Sequence, residues 1–282
     1  MRIASFERRG TASFGIVTDA GIVDLGGRIA GVPDLRSALG VPGGLDALRP
    51  FADRPPDFGL ADIAFFPPIP RSDKVIGIGL NYRDHAAEQG APIPAHPVVF
   101  VRWPGAQTGH LRPLVRPRVS VRFDFEGELA VIIGRRARHV AARDALDHVA
   151  GYACFNDGSV RDWQRHSAQF TPGKNFPHSG AFGPWLVTRD EIADPGALDL
   201  TTRLNGEVVQ EGRTSDMIFG VAAIIAYVST FTELLPGDVI ATGTPKGVGD
   251  NRKPPLYLKS GDTVEVTIDG IGTLRNPVVD EA

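Results

Sequence analysis

The longest stretch of this chain suited to a helix spans only residues 214–231, and most other apolar residues fall in strand-length segments bounded by glycine, proline or asparagine. A chain punctuated in this way builds its core mainly by pairing short strands. Near the start, strands are expected at 2–6, 14–18 and 21–25, with Asp19-Ala20-Gly21 turning between the last two. A weak helix at 37–48 and proline-rich runs at 54–56 and 67–70 follow. From Lys74 the run Val75-Ile76-Gly77-Ile78-Gly79-Leu80 reads as a buried strand that opens a new core. Further strands are expected at 98–102, 128–133, 152–156, 185–188, 200–204, 239–242 and 263–268, with a short helix at 82–89 and a hairpin at Asn205-Gly206. The reading is α+β, mostly β with some α: a small β-rich N-terminal domain at 1–70 and a larger domain at 71–282.

With 42% hydrophobic and 22% charged residues, the chain has the composition of a folded globular protein. A formal charge of −3 gives no reason to expect nucleic acid or an anionic membrane surface as partner. Cys154 is the only cysteine, which excludes an intrachain disulfide. The N-terminus lacks the basic-then-apolar run of a secretory signal, and no apolar run reaches the roughly 20 residues of a membrane helix. A cytoplasmic location is the expectation.

The chemistry concentrates in acidic residues. Glu126 and Glu128 stand two apart at the start of an apolar strand, so period-two geometry turns both carboxylates to one face. Two neighbouring carboxylates repel, and a hard divalent cation such as magnesium, manganese or calcium relieves that most directly. Asp157, after the strand at 152–156, is the candidate third ligand. The alternative is a solvated face on an edge strand. Zinc fits poorly, because no cysteine pair or tight histidine cluster accompanies these acids. His85 and Glu88, three apart in the expected helix, form either a dyad that takes a proton near neutral pH or a surface salt bridge. The glycine-rich segment 242–249 lacks the order of a phosphate loop and reads as a tight loop at a pocket's edge.

Several blocks in sequence order resemble the fumarylacetoacetate hydrolase family, from about residue 74 to the C-terminus. They include Gly79-Leu80-Asn81-Tyr82 with Asp84-His85 and Glu88, Asp124-Phe125-Glu126-Gly127-Glu128-Leu129, Asn156-Asp157-Gly158-Ser159-Val160-Arg161-Asp162, Gly173-Lys174, and Thr242-Gly243-Thr244-Pro245-Lys246-Gly247. The resemblance implies a mixed β-roll with a barrel-like catalytic domain, a homodimer, and Mg2+ or Mn2+ as cofactor, with Ca2+ as a substitute in crystals. It implies Glu126, Glu128 and Asp157 as metal ligands, and His85, Glu88 and Lys174 as catalytic residues. Arg161, Gln164, Thr244, Tyr82 and Arg102 are its substrate contacts. Arg161 is also read as a structural ion pair with a neighbour such as Asp162. Arg102 departs from the lysine common in the family, which bears on substrate identity.

The implied activity is hydrolysis of a carbon–carbon bond in a small 1,3-diketo acid of the acylpyruvate or fumarylpyruvate type, in catabolism of aromatic compounds or sugar acids. Decarboxylation of an oxaloacetate-like acid, isomerisation or tautomerisation of a hydroxydienedioate, and a non-catalytic ligand-binding role are the alternatives. The His85-Glu88 pair favours hydrolysis among these, since decarboxylation needs no base to activate water.

Overall fold

A computed structural model describes residues 1–282. It contains three sheets. The largest runs, in spatial order, through Gly21–Asp24, Thr11–Thr18, Arg2–Arg8, Gly180–Thr188, Val149–Asn156, Gly127–Ile133, Val239–Ala241, Val75–Gly79 and Val98–Arg102, with two short strands off this path. A five-stranded sheet orders Glu207–Arg213, Asp199–Leu204, Thr263–Ile268, Gly272–Asp280 and Leu114–Arg116. A two-stranded ribbon pairs Phe123–Asp124 with Ser159–Val160. Strands dominate as expected, but both larger sheets stay open instead of closing into a barrel. No helix is long and apolar enough to cross a membrane.

Strand Gly127–Ile133 is buried along its whole length because both of its faces are covered. Leu129, Val131 and Ile133 pack with Leu200, Val264, Val266 and Leu274 of the five-stranded sheet and with Ile224, Ile225 and Val228 of helix Val221–Phe231. Ala130 and Ile132 face the other way, into a cluster with Ile3, Phe14, Ile16, Leu35 and Leu39 from the N-terminal segment. A strand covered on both sides reads as a continuous apolar run, which is why its sequence does not alternate. The N-terminal strands form no sheet of their own: Arg2–Arg8 pairs with Gly180–Thr188 and so continues the large sheet.

Two helices expected from sequence divide. Residues 37–48 become helix Leu35–Gly40 and the 3-10 turn Gly44–Phe51, separated by Pro42 and by Gly43 at φ 85°. Asp34 caps the first, accepting from the Ser37 N–H at 2.7 Å. Residues 214–231 become a short turn Thr214–Asp216 and helix Val221–Phe231. The break is made by Asn81: its backbone carbonyl accepts from Ile218 N–H at 2.7 Å, and its side chain holds both the N–H and the carbonyl of Phe219 at 2.9 and 3.0 Å. Those backbone groups are committed to a distant residue and do not join the helix. Strand Glu207–Arg213 pairs with Asp199–Leu204 across Asn205-Gly206, as the hairpin signal predicts, whereas Gly272–Asp280 is not among the expected strands because Arg275, Asn276 and Pro277 interrupt its apolar positions.

Candidate metal centre

Register gathers the acids. Gly127 pairs with Asn156 and Glu128 with Phe155, so one step beyond this ladder Glu126 lies opposite Asp157. The Asp157 N–H donates to the Glu126 carbonyl at 2.8 Å, which continues the pairing past the strand ends. Glu126 and Glu128 are on the side of their strand shared by Ala130, and Asp157 is on the side of its strand shared by Ala153 and Phe155, all in one face of the sheet. One carboxylate oxygen from each of Glu126, Glu128 and Asp157 lies within 4.8 Å of the others. Oxygens on opposite sides of a hard cation bound at 2.0–2.6 Å are about 4–5 Å apart, so the three side chains fit one such ion.

The surrounding charges sharpen that fit. Four carboxylates (Asp124, Glu126, Glu128 and Asp157) and three cations (Arg102, Arg161 and Lys174) are buried together. Lys174 Nζ donates to Glu126 Oε2 at 2.7 Å and to Asp157 Oδ2 at 2.5 Å. Arg161 donates from Nε to Asp124 Oδ2 at 2.8 Å and pairs through Nη1 with Glu126 Oε1 at 2.6 Å. Arg102 holds Asp157, the Gly158 carbonyl and Ser179 Oγ. Glu128 alone has no cation partner. Burial raises the Glu126 carboxyl, but Lys174 and Arg161 more than offset this and hold it well below the usual range. Burial pushes Glu128 well above that range, and the nearby charges of Asp157 and Glu126 add to the effect. A divalent cation held here would supply the charge that Glu128 lacks.

The loop following strand Val239–Ala241 secures the acids from behind. Gly243 N–H donates to Glu128 Oε2 at 2.8 Å, Gly249 N–H to Asp124 Oδ1 at 2.8 Å, and Asp250 N–H to Asp124 Oδ2 at 2.9 Å. Gly247 N–H donates to Glu88 Oε1 at 3.0 Å. At Gly249 a side chain is impossible, since a Cβ would lie 1.8 Å from the Leu256 carbonyl oxygen. This loop lies at the cavity's edge, as its glycines and proline predict, but its donors are backbone N–H groups, which leave no mark in the side-chain code.

A cavity of about 360 Å³ opens onto the acids and is lined by His85, Gln164, Lys174 and Thr244 as well as Glu126, Glu128 and Arg161. Phe100 and Phe170 form an apolar wall, their rings edge-on at 6.0 Å, with Lys174 Nζ 5.1 Å from the Phe100 ring. His85 is buried in helix Arg83–Glu88. Its Nδ1 faces Glu88 Oε2 at 3.2 Å and its Nε2 faces Gln89 Nε2 at 2.8 Å. Burial acts to raise the Glu88 carboxyl, but bonds from His85 and the Gly247 N–H bring it below its ordinary value.

Arg161 pairs with Asp124 and Glu126, whereas Asp162 accepts from Ser120 Oγ at 2.7 Å. Its Nη2 is buried without a partner. Gln164 accepts from Arg161 Nη1 at 3.0 Å, and Thr244 Oγ1 donates to the Gly127 carbonyl at 2.9 Å. Arg102 and Tyr82 lie outside the cavity lining, both fully buried. Arg102 stands behind Asp157, and burial together with Glu128 pushes the Tyr82 hydroxyl far above its usual range. Asp124, to which the sequence reading gave no role, organises Arg161 and the loop. The two-residue spacing of Asp124, Glu126 and Glu128 was the signal available for it.

The family described as Fumarylacetoacetate (FAA) hydrolase C-terminal matches residues 74–279. The chain is 44% identical over 235 residues to Oxaloacetate tautomerase FAHD2A, mitochondrial, of Homo sapiens, covering 83% of this chain and 75% of that relative. Its structure is similar to 2-hydroxyhepta-2,4-diene-1,7-dioate isomerase from Mycobacterium marinum, with TM-score 0.80, 36% identity, and coverage of 100% and 99% of the two chains. It is also similar to maleylpyruvate hydrolase from Sphingobium sp. SYK-6, crystallised with manganese (II) ion and pyruvate, with TM-score 0.81, 30% identity and 100% of both chains covered. A match over most of the chain, together with a shared fold, establishes that the chain belongs to the fumarylacetoacetate hydrolase family, whose members are enzymes.

Proposed function

We propose that this protein is a divalent-cation-dependent enzyme that moves a proton at the α-carbon of a small 2-oxo dicarboxylate, interconverting keto and enol forms of an oxaloacetate-type acid. The observation that carries the reading is a histidine lining the same cavity as Glu126 and Glu128, two of the three clustered carboxylates, with Glu88 fixing its tautomer. The 44% identity to an oxaloacetate tautomerase supports the choice of substrate.

Glu126, Glu128 and Asp157 would hold magnesium or manganese. A bound ion would supply Lewis acidity toward the 2-oxo carbonyl and offset the negative charge that develops on its oxygen. Glu88 accepts from the His85 Nδ1–H and leaves Nε2 as the basic atom. With the Gln89 amide displaced by substrate, Nε2 takes the α-proton in the keto-to-enol direction and delivers it to the 2-oxo oxygen, and the reverse transfer, from the enol hydroxyl to the α-carbon, regenerates the keto form. The free Nη2 of Arg161 and the ammonium of Lys174 are the donors for substrate oxygens. The walls of Phe100, Phe170 and Val248 limit water around the reacting carbon.

A second reading, hydrolysis of a carbon–carbon bond in an acylpyruvate or fumarylpyruvate, is favoured by the likeness to maleylpyruvate hydrolase. There His85 Nε2 would deprotonate a water. Purified protein with and without chelator, followed by decay of the enol ultraviolet band of oxaloacetate and by pyruvate release from acylpyruvates, separates the readings. Metal-dependent enol decay without pyruvate release supports tautomerisation; pyruvate release from acylpyruvates alone replaces it with hydrolysis. His85→Ala is expected to lower the rate about 100- to 10,000-fold with the cation still bound, as calorimetry reads it; an undiminished rate removes His85 from the mechanism.

A further inference from the structure

Three cationic side chains line the cavity: Arg161, Lys174 and Arg165. Two are committed to the buried acids, as described above. Arg165 differs. It follows Gln164 at the end of helix Arg161–Gln164, its side chain is 59% exposed, and its partner is Asp250 at the cavity rim. Asp250 does not depend on it. Asp250 Oδ1 accepts from Arg122 Nη2 at 2.8 Å and from the Tyr257 hydroxyl at 2.5 Å. When Arg165 leaves, a cation and a hydroxyl remain on that carboxylate, and the departing guanidinium is already largely in solvent.

We infer that Arg165 determines specificity by receiving the second carboxylate of a dicarboxylic 2-oxo acid whose 2-oxo acid end lies at the acid cluster. This rests on the substrate class proposed above and adds the residue that selects it. The apolar walls, Ile78, Phe100, Phe170 and Val248, offer a carboxylate nothing. A guanidinium offers two parallel donors matched to its oxygens. A ligand with an uncharged tail leaves Arg165 on Asp250 and gains nothing from it.

The test is titration calorimetry of the magnesium-loaded protein with pyruvate and with 2-oxoglutarate, for wild type, Arg165→Ala and Arg165→Lys. Wild type should bind 2-oxoglutarate more tightly than pyruvate. Arg165→Ala should weaken 2-oxoglutarate about 10- to 100-fold and change pyruvate less than about twofold, with partial recovery in Arg165→Lys. The KM for oxaloacetate should rise by a similar factor with little change in kcat. Equal losses for both ligands, no loss for 2-oxoglutarate, or no preference for it in wild type would each overturn the inference. Arg165-dependent binding in a protein that does not turn over oxaloacetate would sink the tautomerase reading and keep the clamp. Turnover of oxaloacetate with Arg165-independent binding would do the reverse.

Discussion

Glu128 Oε2 accepts a hydrogen bond from the Gly243 N–H at 2.8 Å, and this backbone group is its one donor. Every other carboxylate buried beside it has a lysine or arginine. Glu128→Gln should therefore weaken magnesium or manganese binding by at least about 100-fold, since it removes an anionic ligand that no neighbour replaces. It should also stabilise the metal-free fold near neutral pH, because glutamine is buried neutral without the proton that Glu128 must hold there. Unchanged affinity in a calorimetric titration would place the cation elsewhere.

The same residue sets a pH dependence. Its folded carboxyl titrates well above the ordinary value of 4.5. Once the pH passes 4.5 the unfolded chain releases this proton while the metal-free folded chain keeps it, so stability falls as pH rises through this window. The thermal midpoint of chelated wild type, minus that of Glu128→Gln, should decline from pH 5 to pH 8. Saturating magnesium should flatten the decline, because the cation then favours the ionised form.

Lys174 bridges Glu126 and Asp157, yet each of those acids keeps an arginine of its own. Lys174→Met should leave the cation bound and lower kcat about 100- to 1,000-fold, through loss of a buried donor to developing negative charge. A variant with normal turnover would confine the lysine to structure.

Asp124 accepts from Arg161 Nε and from the N–H groups of Phe125, Gly249 and Asp250, all between 2.8 and 2.9 Å. Asp124→Asn leaves Glu126 as the one carboxylate on the buried Arg161 guanidinium and should lower unfolding free energy by about 3–5 kcal/mol in urea. A loss below about 1 kcal/mol would show that Glu126 alone suffices for Arg161.

How much was legible in the sequence varies with the range of the forces involved. The strands at Val98–Arg102 and Thr263–Ile268 emerge with the expected bounds, and Val75–Gly79 and Gly127–Ile133 within a residue of them, because apolar runs bounded by glycine or proline depend on nearby residues alone. The shared face of Glu126 and Glu128 was equally local. The break before helix Val221–Phe231 was not, since Asn81 makes it from far away in the chain. Nor were the partners of Arg102: its fork serves Asp157, Gly158 and Ser179, which the fold alone brings to it.

The sequence by itself determined a β-rich chain carrying three acids at spacings that strands turn to one side, because side-chain direction along a strand repeats every two residues. Only the tertiary structure decided which charges those acids meet. Glu126 and Asp157 receive cations, Glu128 receives a single backbone N–H, and the largely exposed Arg165 meets an Asp250 that Arg122 and Tyr257 also hold. Charge interactions act through space in a medium of low polarity, so their outcome depends on which distant segments fold together.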